Sequence, residues 1–391
     1  MTKRHFHSFD ALRFFAFLKV FLLHAPIILA SYSPAWLGWF DKHVRYGGGI
    51  GVDFFFVLSG FLITYILTND KINNGKINLK RFFVRRAFRI FPLYYLMVFM
   101  ALLIPASIAQ PLGFYMTGGG YEPEWIYSLT FTENIAMIIH DNVPRTTPLS
   151  IFWSLCIEEQ FYIYWMIVFF FIKRQWIPIF LISSLLMAIG IRVFELNVFG
   201  NEMIKNQDMF SNLDYFAISG LLGYAVAVNY EKVASQVKKI SAWFKWGYIF
   251  LVGAVLYFLS DIFKNPSWFL DMFWPTFTAI LFTGLLVIFI PSDSKIRFSE
   301  KSVFTKLGKI SYGLYVYHIA WVHIVYKFYI DYDIEIGSTR PYLFFVIVTF
   351  TATVITAYLS YRFFERPIMN LRERYFSNKS KSEGVKPVNN E

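Results

Sequence analysis

The stretch 9–30, FDALRFFAFLKVFLLHAPIILA, decides what kind of molecule this is. It is long and apolar enough to cross a bilayer as one helix, which takes ~20 residues. It lacks the small-residue cleavage pattern of a secretory leader, so it reads as a retained helix. Four ionisable residues interrupt it: Asp10, Arg13, Lys19 and His24. A lipid-facing anchor would avoid them, because charge in hydrocarbon is costly and normally faces a protein interior or a wet cavity. From Arg13 to His24, eleven helical steps leave only ~20° of net rotation and ~16 Å of rise. Both side chains therefore project from one face, the guanidinium near one membrane surface and the imidazole well inside. That suits a fixed positive charge holding an anionic group, with an imidazole doing proton chemistry deeper in; the bland alternative is buried polar packing. Lys19 points ~120° away and needs a partner of its own or must snorkel. Asp10, one turn before Arg13, is placed to pair with it.

Composition agrees. Of 391 residues, 56% are hydrophobic and 16% charged, against ~25% charged in an ordinary soluble domain. The 46 Phe, 25 Tyr and 11 Trp suit lipid contact and interfacial belts. The net charge of +11 does not argue for nucleic acid, because the Lys and Arg sit in short loops between apolar runs. The single cysteine, Cys156, excludes an intrachain disulfide and a cysteine-based metal site, and reads as a small packing residue. No ligand cluster suggests a metal, and nothing calls for a permanently bound cofactor.

Apolar segments fall at roughly 9–30, 51–68, 90–109, 151–172, 176–195, 213–230, 246–262, 270–291, 310–330 and 341–363. The predicted fold is thus an all-α integral membrane bundle of about ten transmembrane helices, covering residues 1–376. A polar tail at 377–391, rich in Lys, Ser and Asn, reads as disordered. An even span count puts both termini on one side. With that side inside, the inner loops carry 27 Lys and Arg and the outer side eight, Arg192 among the eight. Such a bias is a positive-inside signal and predicts cytoplasmic termini.

The second span opens GGGIGVDFFFVLSGFLI. Gly47 to Gly49 and Gly51 allow tight turns, and Ser59 with Gly60 would let another helix approach closely. Asp53 falls in the first turn, where it serves equally as a cap or as an active-site wall. KRFFVRRAFRIFPLYYL, from Lys80, is the densest positive cluster. Arg85, Arg86 and Arg89 sit at i, i+1 and i+4, so Arg85 and Arg89 share a face. Their forks would suit coenzyme A phosphates, while topology and lipid headgroups explain such a cluster equally well. Residues 110–150 are the longest non-spanning stretch and suggest a surface segment or re-entrant lid. The fourth span opens IFWSLCIEEQFYIYW; Glu158 and Glu159 point ~100° apart, so one is free to face His24 and the other not. In LGKISYGLYVYHIAW, Ser311, Tyr315 and His318 fall on one face. His318 is a second candidate base, though a tyrosine-bonded core histidine is the simpler reading. SYRFFERPI ends the last span in a charge knot of Arg362, Glu365 and Arg366.

These pieces together resemble the acyltransferase family 3 of integral membrane acyltransferases. The matching motifs are Arg13 through His24, GVDFFFVLSGFLI at 51–63, RRAFRIFPLYYL at 85–96, WSLCIEEQFY at 153–162, LGKISYGLYVYH at 307–318 and SYRFFERPI at 360–368. The resemblance implies an enzyme moving an acyl group, usually acetyl, from cytoplasmic acyl-CoA to an extracytoplasmic hydroxyl. Acceptors in the family are surface polysaccharide, lipopolysaccharide, peptidoglycan or glycolipid. Some members carry an SGNH hydrolase-like domain after the last span; with about 25 polar residues there, the stand-alone form is expected. Cys156 stands where the family commonly has Ser or another small residue before the paired glutamates, and Lys19 lies outside its motif.

The resulting expectation is a multi-pass inner-membrane acyltransferase. Arg85, Arg86 and Arg89 hold the donor, Arg13 anchors a polar part of the coenzyme, and His24 is the base. Glu158 or Asp53 orients its other ring nitrogen, and an acyl-histidine intermediate is the variant. The competing class is a proton-coupled transporter or glycan exporter, against which no sequence echo between the halves is visible.

Overall fold

The computed structural model describes residues 5–29, 31–114, 120–198, 207–265, 267–291, 294 and 296–371; the polar tail expected at 377–391 lies outside them. Ten helices of sixteen residues or more carry the described fold. They are α1 (His7–His24), α2 (Ile50–Asn74), α3 (Leu79–Leu103), α4 (Trp153–Phe171), α5 (Ile177–Val198), α6 (Leu213–Lys239), α7 (Ala242–Tyr257), α8 (Trp268–Ile288), α9 (Ser311–Asp331) and α10 (Thr339–Ser360). No strand occurs among the described residues.

The expected count of ten spans is not what length and hydropathy support. Six stretches are long and apolar enough to cross a membrane: Ala35–Asn74, Leu79–Leu103, Trp153–Phe171, Arg174–Glu195, Trp268–Ile288 and Thr339–Leu371. A seventh is reached if Phe210–Lys239 and Ala242–Tyr257, bent by 92°, form one broken span. α1 and α9 miss because they carry the polar groups: Asp10, Arg13, Lys19 and His24 on one, a Tyr- and His-rich run on the other. Helices relieved of lipid contact can hold such side chains only inside a bundle, and that is where these two sit. α1 is enclosed by α2, α9 and the short helix Val303–Lys309. Its Phe9, Phe17, Val20 and Phe21 are buried in the shared core.

Two glycines set the helix approach. Gly47 has φ +63°, a turn that an L side chain resists, and it reverses the chain into α2. Gly60 lets α2 close on α6: a Cβ there would lie 2.5 Å from the Phe216 Cα and 2.6 Å from its carbonyl oxygen. Ser59, expected to share that role, faces the other way. Lys19 finds the partner it needs in the turn before α2, donating to the Val44 and Tyr46 carbonyls at 2.6 and 2.9 Å.

Arg192, counted from sequence among outer loop charges, is fully buried near the end of α5. It pairs with Asp214 at 2.8 Å and donates to the Met272 carbonyl at 3.0 Å and Thr276 Oγ1 at 3.1 Å. With the Ser211 carbonyl, to which it also donates, four lone-pair partners around one guanidinium offset its desolvation and join α5, α6 and α8. α6 breaks at Asn229 (φ −154°, ψ 81°), about where the sixth span was expected to end. Asn229 Oδ1 then caps the continuing helix by accepting from the Lys232 N–H at 3.0 Å.

Residues 120–150 fold as short helices laid against α3 and α4. Gln160 of α4 donates to the Phe131 carbonyl and Asn134 Oδ1 at 2.9 and 2.8 Å. Glu133, fully buried, accepts from Tyr121 and from Ser128 at 2.7 Å. At the other end of the molecule, the expected charge knot is pulled apart. Glu365 turns inward, accepting from Ser360 at 3.0 Å, while the Arg362 guanidinium lies over the Phe363 ring at 5.4 Å.

Candidate active site

α1, α2, α3, α4 and α9 meet around a chamber of about 780 Å³ lined by Arg13, Arg86, Arg89, Glu158, Tyr162 and Tyr315 among apolar side chains. It continues into a vestibule of about 1650 Å³, open to solvent, and the two share Arg13, Arg86, Arg89 and Tyr312. Lys309, His5 and Glu365 stand at the vestibule wall. Three guanidinium groups therefore line one continuous entry, with phenols and aliphatic chains beyond.

Of the expected trio, Arg86 and Arg89 face the chamber, and all three line an adjoining pocket with Asp70 and Arg81, where Arg85 sits. The pair sharing the site is thus i, i+3 rather than the i, i+4 pair expected. Both spacings keep side chains on one helical face, and only the rotation of α3 against α4 and α9 selects between them. Tyr312 of α9 fixes that rotation by donating to the Ile90 carbonyl at 2.8 Å. Arg86 is held over the Tyr162 ring at 5.1 Å. Arg13 pairs with Asp10 at 2.5 Å, as its position one turn away predicts.

Glu158 and Glu159 part as their 100° offset requires. Glu158 lines the chamber, accepting from Ser59 and from the Tyr162 hydroxyl at 2.9 Å. Glu159 is buried in the core, its Oε1 without a hydrogen-bond partner. Neither reaches His24. Cys156 is fully buried with its Sγ 3.9 Å from the Tyr94 hydroxyl, a packing position.

His24 is met instead by His318, whose Nε2 is 3.0 Å from His24 Nδ1. His318 Nδ1 lies 2.5 Å from the Tyr315 carbonyl oxygen. A carbonyl only accepts, so His318 carries its proton on Nδ1 and leaves Nε2 bare. Nε2 then accepts from His24 Nδ1–H, and His24 Nε2 is left as the unprotonated, basic nitrogen. The group the structure places on the second ring nitrogen of His24 is thus His318, and neither Glu158 nor Asp53. Asp53 is turned away to Tyr215, beside the Arg192–Asp214 cluster. The reading of His318 as a tyrosine-bonded core histidine is half right: it is fully buried and bonded to Tyr315, but through the backbone, and its second nitrogen serves His24.

The sequence as a whole matches a known group of proteins. A family model described as the acyltransferase domain (acyltransferase 3) matches residues 6–362. The chain belongs to this family. With its apolar helices, this makes it a multi-pass membrane protein. The provisionally named O-acetyltransferase SACOL0978 of Staphylococcus aureus (strain COL) is 26% identical over 404 residues, covering 99% of this chain and 59% of the relative. The O-acetyltransferase OatA of Staphylococcus aureus (strain NCTC 8325) is 27% identical over 400 residues, covering 98% and 60%. The chain thus spans about three fifths of the length of these relatives. No solved structure matches it. Within the family match, the residues missed from sequence were Ser59, Tyr162 and Tyr312. Tyr162 was legible one turn after Glu158; the other two required knowing which helices become neighbours.

Proposed function

We propose that this acyltransferase-family protein moves an acyl group, acetyl in the first instance, from acyl-CoA to a hydroxyl of a cell-surface polysaccharide, lipopolysaccharide or glycolipid. One observation supports the reading above others. A chamber entered past Arg13, Arg86 and Arg89 leads toward a histidine whose free nitrogen is set by its neighbour. Guanidinium forks match phosphate oxygens, so the entry suits the coenzyme's phosphates and the apolar lining its pantetheine arm. In this reading the protein sits in the inner (plasma) membrane with this entry toward the cytoplasm, which supplies acyl-CoA, and with His24 toward the acceptor side.

In the reaction, His24 Nε2 takes the proton of the acceptor hydroxyl as its oxygen bonds to the thioester carbonyl carbon. The C–S bond then breaks, and the departing coenzyme A thiolate recovers the proton, leaving the acylated acceptor and free thiol. His318 keeps Nδ1 of His24 engaged, so the base presents the same nitrogen at every turnover.

The test is mass spectrometry of envelope glycans and glycolipids from cells expressing wild type or His24→Ala at matched membrane levels. An acetyl-sized increment present with wild type and lost with His24→Ala is the expected result. An increment that survives His24→Ala removes this histidine as the base, and no increment with either, in a strain that makes such glycans, favours transport over transfer.

A further inference from the structure

Tyr315 is a wall residue of the chamber one helical turn from His318. It lines that space, while neither His24 nor His318 does. Yet its ring centre is only 5.6 Å from that of His318. The phenol is therefore chamber wall on the side of α9 that carries His318 one turn further on. Its hydroxyl is pinned to the start of α4, 2.6 Å from Ser154 Oγ and 3.2 Å from the Ile151 carbonyl oxygen. Ser154 Oγ donates to the same carbonyl at 3.2 Å, so the three polar groups satisfy one another. Phe55 packs edge-on against the ring at 6.2 Å and also lines the chamber.

We infer that Tyr315, held by Ser154, is the specificity-determining residue that limits the length of acyl group delivered to His24. This rests on the acyl-transfer reading above. The thioester carbonyl has to pass the phenol to reach His24 Nε2. A ring fixed on two sides admits a two-carbon acyl group and obstructs each added methylene. A packed apolar wall discriminates single methylenes by ~10–200-fold.

The experiment supplies membranes of expressing cells, which hold the full-length protein and its acceptor glycans, with equimolar acetyl-CoA and butyryl-CoA. Mass spectrometry then gives the ratio of butyryl to acetyl increments on the glycans. The ratio comes from one sample, so it does not depend on how much folded enzyme each variant yields, and a merely structural role would not move it. Wild type should favour acetyl, and Tyr315→Ala should raise the ratio by at least ~10-fold. Ser154→Ala and Tyr315→Phe, which release the pin but keep a ring, should raise it less; they carry the test if Tyr315→Ala does not fold. An unchanged ratio in variants that still transfer acetyl overturns the inference alone. Wild type that transfers butyryl as readily as acetyl does the same. Wild type that transfers neither overturns the acyl-transfer reading and this inference with it.

Discussion

His24 and His318 sit 294 positions apart in the chain and 3.0 Å apart in space. At residue scale this contact links the two rings: His318 is held by the Tyr315 carbonyl, and His24 by both His318 and the Val20 carbonyl. His318→Phe keeps the ring volume but removes the imidazole partner of His24, leaving the Val20 carbonyl as the hydrogen-bond acceptor that still orients the ring. The expected outcome in steady-state kinetics is a lower kcat with little change in KM for acyl-CoA, and a loss smaller than the ~10²–10⁴-fold attached to the base itself. Arg89→Ala should do the reverse. Losing a charge-assisted contact worth ~1.5–3 kcal/mol should raise KM for acyl-CoA by roughly 10–100-fold, with Arg85→Ala giving a smaller rise. If the two classes of variant show the same kcat and KM split, the division into donor entry and base is wrong. Arg13, His24 and Glu158 were legible as site candidates from spacing and from the cost of charge in a span. His318 was visible as a polar stripe but not as the partner of His24, because helical arithmetic says which residues share a face, never which helix that face meets.

At the scale of elements, Arg192 ties three helices through one guanidinium. Both it and Asp214 are fully buried, so removing one leaves the other as an uncompensated charge. Arg192→Ala should lower unfolding stability in detergent by ~3–5 kcal/mol, and Arg192→Met with Asp214→Leu should recover much of it. A denaturation midpoint for Arg192→Ala within error of wild type would show that the cluster bears no load. From sequence the arginine read as a loop charge, since α5 was expected to end near it. The helix runs on to Val198, and the acid that pairs with Arg192 lies in the next long helix. The break of α6 at Asn229 was equally hidden, because Asn in a polar stretch signals an ending as readily as a cap.

At the scale of the whole molecule, the segment 120–150 is docked through Glu133, which lies outside the spans. Burial holds its carboxyl above the usual range despite hydroxyl donors from Tyr121 and Ser128. The native state thus binds this proton more tightly than the unfolded segment does. The docking is then strongest below the ordinary carboxylate range and weakens as pH rises through the raised native value. Hydrogen exchange of amides 121–145, corrected for intrinsic rates, should show less protection at about pH 8 than at about pH 5, with Glu133→Gln flattening the difference. Equal protection at both values in wild type would rule this out.

The sequence motifs carried the family resemblance; composition and apolar runs by themselves determined an all-helical membrane protein and the helices that carry its ionisable groups. These follow from local chemistry: how many residues cross a bilayer, and what a charge costs inside it. Only the tertiary structure decided that Arg86 rather than Arg85 faces the chamber, and that His318 rather than an acid meets His24. Each depends on how one helix is rotated against another. Packing contacts far apart in sequence set that rotation, among them Tyr312 on Ile90 and Gly60 against Phe216, and no local pattern encodes it.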